Sequence, residues 1–362
     1  MKILFYTSLG FLAYIYLVYP GVVLLLSTMS RPVKYDSKEK PSVSLLIAAR
    51  NEELVIEDRI TNIRKLNYPD LEILIGSDGS TDHTINIARE TEEKIENFRV
   101  FDFPKLGKSG VLNQLHKKST GDILVFSDTN SMPEPDAITN LVSPFTDPEV
   151  GCVIGNLKLS GLGIEKIYWK YRKAVRKAEY RLFGTTVGVN GALWAIRKEL
   201  FHQFPRVNIA DDLWLPLQVA RLGYAVAYRE SAVVHENTGK SLEKELSRRV
   251  RVISNTAKVI KRYVPPLNWF GFQYLSRKFL WQFMPLGYLG ILISNFFLIG
   301  NPSFLWLLIA QMCIYALGSA SIYWNLPMPW SAAGFVIGMQ WALVKGLFMG
   351  LFNFPVEWEI NR

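Results

Sequence analysis

The sequence predicts an α/β domain built on a mainly parallel sheet, carried between apolar helices at both ends of the chain. Three observations lead there. Apolar runs at Val43 to Ala49, from Ile73 and at Ile123 to Phe126 each end in polar residues, the pattern of strands whose carboxyl ends line a ligand crevice. The segments between the first strands read as helices, which gives the alternation of an α/β sheet. Windows without charge, each about one bilayer long, stand at both termini.

Taken in order, Ile3 to Thr28 contains no charged residue, is long enough to span a bilayer, and carries Pro20 as a kink site. It is too long and too weakly basic at its front for a signal peptide, and no small-x-small cleavage pattern closes it. Residues 1–29 are therefore expected to be a retained anchor. A hydrophilic domain is expected over residues 40–263. Its first strand runs into Arg50-Asn51-Glu52-Glu53, and Glu52 to Leu66 reads as a helix. The second strand ends at Asp78, turns at Gly79, and offers Ser80 to Asp82 as caps for a helix from Asp82 to Glu93. Phe98 to Phe101 reads as a short strand.

Lys105 to Gly110 opens the next helix. Its Gly107-Lys108-Ser109 resembles part of a phosphate-binding loop, but that loop needs a glycine at position 102, where this chain has Asp102. Nucleotide triphosphatase chemistry is thereby disfavoured. Lys108 can still meet a phosphate or carboxylate at the crevice mouth, or remain a solvated lysine. Asn113 reads as a packing or capping amide.

Gly121 to Asn130 is the stretch around which the crevice is organised. A strand ending there points Asp128 and Asn130 to one side and Thr129 to the other. Two hard oxygen ligands suit Mg2+ or Mn2+, with phosphate and water oxygens completing the shell. The competing reading is a turn, because Asp and Asn side chains bond to their own backbone.

After Pro265-Pro266 the chain becomes apolar again. Residues 264–281 read as an interfacial segment with Trp269, Phe270, Phe272, Tyr274 and Trp281 beside Arg277 and Lys278. Residues 282–353 hold about three spans, Leu280 to Ile299, Phe304 to Tyr323 and Ala332 to Leu351, the last interrupted by Lys345. Four spans in all would put both termini outside. The Lys and Arg residues lie mostly in the central domain, with Arg31, Lys34, Lys261, Arg262, Arg277 and Lys278 on its flanks, so that domain is expected to be cytoplasmic. The protein is expected to be integral to the plasma membrane if the source is bacterial or archaeal.

Composition narrows the classes further. The 362 residues are 49% hydrophobic and 13% aromatic with a net charge of +9, which excludes a disordered chain and one too small for a core. The only cysteines, Cys152 and Cys313, support neither a disulfide framework nor a cysteine metal cluster. His83, His116, His202 and His235 are scattered. Between residues 164 and 182, apolar residues recur at three- and four-residue intervals among seven Lys and Arg residues. Such a helix can lie on an anionic membrane surface and bring the site to a membrane-borne acceptor, or it can be a surface helix packed on the sheet. Nucleic acid is not the expected partner, because the charge is one local stripe.

These motifs, in this order, resemble the membrane-bound family two nucleotide-sugar glycosyltransferases, the group containing cellulose, chitin, hyaluronan and poly-N-acetylglucosamine synthases. Pro41 to Glu53 is similar to that family's first strand and its Asn-Glu-Glu edge. Ser77 to Asp82 resembles the uracil-binding element, Gly107 to Asn113 the Gly-Lys...Leu-Asn segment, and Asp128-Thr129-Asn130 the metal-binding Asp-x-Asp, with one carboxylate replaced. Gly188 to Arg197 resembles the acceptor-side segment, and Ala210-Asp211-Asp212 stands where the family has Thr-Glu-Asp or Thr-Asp-Asp.

The resemblance implies a GT-A domain and inverting transfer of a hexose from a nucleotide-sugar donor, UDP-linked, to a lipid or glycan acceptor. Asp212 would be the base and Asp211 its neighbour; Glu52, Asp78, Lys108, Asp128 and Arg251 would bind the donor. Asp128 and Asn130 would hold the ion, while Gly191, Ala192 and Trp194 would face the acceptor. The family's closing Gln-x-x-Arg-Trp is only partly matched at Arg248 to Val252, and the missing tryptophan argues against long processive extension. Polysaccharide synthesis leads, with non-processive glycolipid synthesis second and a non-catalytic nucleotide-sugar-binding adaptor as the alternative of another class. Four spans leave little room for a glycan, so a homo-oligomer or an export partner would have to supply the missing wall.

Overall fold

The computed structural model describes residues 1–30, 35, 40–160, 164–188, 190–207, 209–237, 242–324 and 326–354. Arg31, Lys34, Val189 and Asn325 lie outside these residues. In chain order the elements begin with helices α1 (Lys2–Ala13) and α2 (Tyr19–Ser27), then β1 (Val43–Ala49), α3 (Glu53–Ile63), β2 (Leu71–Asp78), α4 (Thr84–Glu92) and β3 (Phe98–Phe103). There follow α5 (Lys108–Lys118), β4 (Ile123–Phe126), β5 (Met132–Pro133), α6 (Ala137–Val142), β6 (Val150–Leu159), α7 (Ile164–Phe183), β7 (Trp194–Arg197), α8 (Asp211–Arg221) and β8 (Ala225–Glu236). The chain continues through α9 (Leu242–Ile260), α10 (Trp269–Tyr274), α11 (Met284–Phe297), α12 (Pro302–Trp324) and α13 (Trp330–Leu351). Two compact units result, one of residues 27–238 and one that joins residues 1–26 to those after 238.

The first unit holds, among the described residues, an eight-stranded mixed sheet in the order β3-β2-β1-β4-β7-β6-β8-β5. Strands β3, β2, β1 and β4 are parallel, as expected, and β7 runs antiparallel between β4 and β6. All of β1 is buried, as a central parallel strand covered on both faces should be. Leu45, Leu46 and Ile47 are each 0% exposed, worth roughly 1.5–3 kcal/mol apiece. Gly76 of β2 leaves room for Val111 of α5, which a Cβ would meet at 2.5 Å. The chain leaves β1 toward β2 and β3, then returns to place β4 on the other side of β1. That reversal opens a crevice at the carboxyl ends of β1 and β4.

The opposite end of these strands carries a partly buried acid, Glu72. Glu72 accepts bonds from Ser44 Oγ at 2.5 Å and the Thr120 N–H at 2.9 Å, and it pairs with Arg99. Burial pushes the Glu72 carboxyl up, but those donors outweigh it and leave it below the usual range. Asp82, on the crevice rim, behaves alike, because bonds from Thr84 and the Glu53 N–H outweigh its burial. A depressed folded-state value contributes stability above the unfolded value, about 4, and loses it as pH falls through the folded one. Thermal unfolding of the purified chain between pH 7 and 3 should show a steep acid limb that Glu72→Gln flattens. A limb untouched by Glu72→Gln and Asp82→Asn would contradict this source.

The second unit collects the apolar helices. Among the described residues four helical runs are long and apolar enough to cross a membrane: Lys2–Ser27, Trp269–Phe297, Pro302–Trp324 and Trp330–Leu351. The first contains a π-turn at Tyr14–Val18. Pro20 explains it, since a proline has no N–H for the carbonyl four residues back, which here is Tyr16 inside the wider turn. The second run continues from α10 through a π-turn at Leu275–Phe279 and a tight turn at Leu280–Phe283 into α11. The expected division between an interfacial segment and a span at 281 is therefore one helical run, with no break in its backbone. Tyr14 Oη and Ser276 Oγ, one from each π-turn, lie 2.8 Å apart.

Small residues let these helices approach. A Cβ on Gly287 would meet Leu12 at 2.8 Å, and one on Gly346 would meet Ile253 Cβ at 2.8 Å. Gly338, Gly346 and Gly350 of α13 form the seat for α9, whose Val250 and Ile253 join Leu12, Ile15, Met284, Ala342 and Leu343 in one apolar cluster. Helix α9 thus packs with the apolar helices, whereas the sequence boundary at 263 had grouped it with the sheet. An amide chain runs from Asn295 to Gln311, 3.0 Å, and on to Tyr315, 2.8 Å.

Candidate active site

Two sequence stretches interlock on the rim of the crevice. Asn51, just past β1, adopts a left-handed conformation with φ +50° that lets its side chain accept the Thr81 N–H at 2.8 Å. The Glu52 N–H donates to Thr84 Oγ1 at 2.7 Å, and the Glu53 N–H to Asp82 at 3.2 Å. The Asn-Glu-Glu edge therefore clamps the turn that follows β2. Asp78 at the end of β2 is fully buried, and its Oδ1 accepts the N–H groups of Leu106 and Gly107 at 2.6 and 2.8 Å. Its other oxygen is buried without a hydrogen-bond partner. Asp78 thus sets the turn that launches Lys108, a role the strand-end reading did not contain.

Lys108 opens α5 after Gly107, whose φ of +75° a side chain would rarely adopt. Its Nζ lies 2.7 Å from Asp128 Oδ1 and 3.0 Å from Asp211 Oδ2. The second contact is an ion pair without hydrogen-bond alignment, since that oxygen has no hydrogen-bond partner. Burial works against the ammonium, but Asp128, Asp211 and Asp212 outweigh it and hold Lys108 well above the ordinary lysine value. Of the two environments open to Lys108, the carboxylate one is realised. It joins β4 to the start of α8, two elements distant in sequence.

Strand β4 ends at Phe126, and the Ser131 N–H donates to the Asp128 carbonyl at 3.2 Å. Asp128 to Ser131 is thus a turn, and the turn is what aims the side chains. Asp128 is half-buried, Asn130 is exposed, and Thr129 is buried with its hydroxyl donating to the Ala48 carbonyl at 3.3 Å. The antiparallel register that pairs Phe126 with Trp194 brings Gly191 beside Asp128. A Cβ on Gly191 would stand 3.0 Å from Asp128 Oδ2, so the glycine keeps that oxygen clear. Ala192 is buried, and its carbonyl accepts from Ser127 Oγ at 2.8 Å.

A divalent ion fits this donor set. Asp128 offers a carboxylate oxygen into the space Gly191 leaves, and Asn130 offers an exposed amide oxygen on the same turn, both hard ligands. Among the described residues no group of three His, Cys, Asp or Glu side chains gathers as a metal cage, so oxygens of a bound donor would complete the shell.

Helix α8 opens with both acids, Asp211 buried and Asp212 half-buried. Carboxylates in a first helical turn are stabilised by the unpaired N–H groups there. One expected site residue stands elsewhere. Trp194 is fully buried in β7, stacked on Phe126 with ring centres 4.1 Å apart, so it packs the sheet and has no surface for an acceptor. Arg251 belongs to α9, in the unit of apolar helices.

One residue of this region escaped the sequence reading. Arg59 of α3 is 0% exposed, and its guanidinium donates to Ser127 Oγ at 2.9 Å, to Asn62 Oδ1 at 3.1 Å and to the Ser131 carbonyl. Burial lowers it to about 9 against the pull of Asp128 and Glu236, so it stays charged at neutral pH. The available signal was an arginine on the buried stripe Ile56, Arg59, Ile60 and Ile63.

Residues 44–204 match the family model Glycosyl transferase family 2. The chain is 27% identical over 340 residues to the probable glycosyltransferase YdaM of Bacillus subtilis, covering 87% of this chain and 74% of that protein. It is 26% identical over 221 residues to poly-beta-1,6-N-acetyl-D-glucosamine synthase of Staphylococcus aureus, covering 56% of this chain. That match spans 54% of the synthase, about half its length. Among solved structures, the mannosyltransferase PcManGT of Pyrobaculum calidifontis, in complex with GDP-Man and Mn2+, superposes with a TM-score of 0.75 at 22% identity. The superposition covers 97% of this chain and 100% of that one, and it shows a shared GT-A-like fold. The clamped rim and the Lys108 junction thus lie within or directly beside the segment that matches the glycosyl transferase family 2 model, and the chain is a hexosyltransferase.

Proposed function

We propose that the chain is an inverting transferase that moves a hexose from a nucleoside diphosphate-sugar to a lipid or glycan acceptor at a membrane, with Asp212 as the base. The observation that carries this reading is the Lys108 ammonium between Asp128 and Asp211, which joins a donor-side acid to the acids that open α8. In one displacement the acceptor oxygen forms a bond to the anomeric carbon as the carbon–phosphate oxygen bond breaks. The acceptor proton passes to Asp212, and the electron pair leaves on the diphosphate. Lys108 faces the charge that develops there. Mg2+ or Mn2+ bound by Asp128 and Asn130 would supply Lewis-acid neutralisation of that leaving group.

The resemblance of Ser77 to Asp82 to a uracil-binding element favours a uridine nucleotide, while the structural neighbour holds a guanosine one. Polysaccharide synthesis leads on the likeness to poly-N-acetylglucosamine synthase. Glycolipid synthesis is the second reading, favoured by the incomplete arginine-rich motif and the few apolar helices. The four helical runs and the basic residues of the sheet-bearing unit favour an integral membrane protein with that unit on the cytoplasmic side.

Purified chain in lipid nanodiscs, offered UDP-linked and GDP-linked hexoses with Mn2+, should release nucleoside diphosphate and form a glycosylated product. A ladder of lengths in mass analysis means polymer, and a single sugar on a lipid means glycolipid. Folded chain that binds donor without turnover in this screen points to the adaptor instead.

A further inference from the structure

The five residues Ser127 to Ser131 carry both proposed ion ligands, and Arg59 bonds to each end of them, at Ser127 Oγ and at the Ser131 carbonyl. Each end has a further side-chain tether, since Ser127 Oγ donates to the Ala192 carbonyl and Ser131 Oγ to Glu236. Asn62 extends the hub, accepting from Arg59 and donating to the Pro133 carbonyl at 2.9 Å. Within the turn the backbone itself contributes a bond from the Ser131 N–H to the Asp128 carbonyl.

We propose that Arg59 is a positioning residue for donor and ion binding, acting through the Ser127–Ser131 turn. An aliphatic side chain would fill the apolar stripe of α3 without desolvating a cation. What the guanidinium adds is a planar fork that spans two ends of one short loop, which neither an aliphatic group nor a lysine ammonium reproduces. With that fork in place, Asp128 stays beside Gly191 and Lys108, and Asn130 stays exposed on the same turn. The inference rests on the reading of Asp128 as a donor-side and ion-binding carboxylate.

The test uses the full chain in nanodiscs and three variants, Arg59→Lys, Arg59→Met and Ser127→Ala. Arg59→Lys keeps the charge but loses the fork, and it should raise the half-saturating Mn2+ and donor concentrations by roughly 10–100-fold, the usual cost of losing a group that orients a ligand. The acceptor KM should stay within about twofold, and the melting temperature of Arg59→Lys should stay near that of the wild type. Ser127→Ala removes one tine's acceptor and should shift the same two constants in the same direction, by less. It carries the test should both Arg59 variants fail to fold. Folded variants with wild-type half-saturation for donor and Mn2+ overturn the proposal, as does a loss confined to melting temperature. A wild type that is fully active without divalent ions overturns the ion reading alone, and the donor constant then still tests Arg59.

Discussion

Asp212→Asn is expected to reduce turnover by at least ~100-fold while donor binding and the melting temperature remain close to wild type. That factor corresponds to about 2.7 kcal/mol of lost transition-state stabilisation. The structure separates the two acids that the sequence placed side by side. Asp211 is buried and committed to Lys108 at 3.0 Å, so its negative charge is already neutralised by a cation. Asp212 is half-buried in the first turn of α8, where an acceptor hydroxyl is proposed to meet it. Asp211→Asn should therefore cost less than Asp212→Asn, and its loss should appear partly in donor KM, because Lys108 loses one of the carboxylates that hold it. Steady-state rates with product detection, paired with donor binding by calorimetry, measure both terms. Turnover abolished by Asp211→Asn and spared by Asp212→Asn would exchange the two assignments.

Much of the first unit could be read from apolar runs, because β1, β2 and β4 are central parallel strands whose burial leaves a continuous hydrophobic signature. The second half of the sheet was less visible. Strand β7 is four residues long and antiparallel, and its Trp194 reads in sequence as an acceptor-side aromatic. Only the pairing with β4 turns it into the stacking partner of Phe126. The rim motifs were legible as strand ends with polar residues, but not the use made of Asp78, whose bonds reach N–H groups 28 and 29 residues later. Arg59 was missed for a related reason: periodicity identifies a buried stripe, and an arginine in it looks like an interruption until the loop it serves is folded against it. Helix α9 was grouped with the sheet because its charges read as hydrophilic, while its packing follows the glycines of α13, a complementarity no local window records.

The second large effect is expected at Asp128. Asp128→Asn should lower kcat/KM by at least ~100-fold at fixed Mn2+, in the range lost when one preorganised group facing a developing anion is removed. The substitution keeps the size of the side chain and an oxygen toward the space beside Gly191, so the turn from Asp128 to Ser131 should fold as before. What disappears is the only formal negative charge of the Asp128 and Asn130 pair, and with it the partner of Lys108 at 2.7 Å. Hydrogen bonds to ionised groups are roughly twice as strong as neutral ones, so Asn130→Ala should cost less. The ion accounts for the difference if added Mn2+ restores part of the activity of Asn130→Ala but much less of Asp128→Asn. Titrations of donor binding with Mn2+ and with chelator decide the matter: an affinity for donor that ignores both, together with full activity of the chelated wild type, would assign the Asp128 effect to Lys108 and remove the ion from the site. Equal losses in the two variants under every metal condition would instead contradict the ranking of carboxylate over amide.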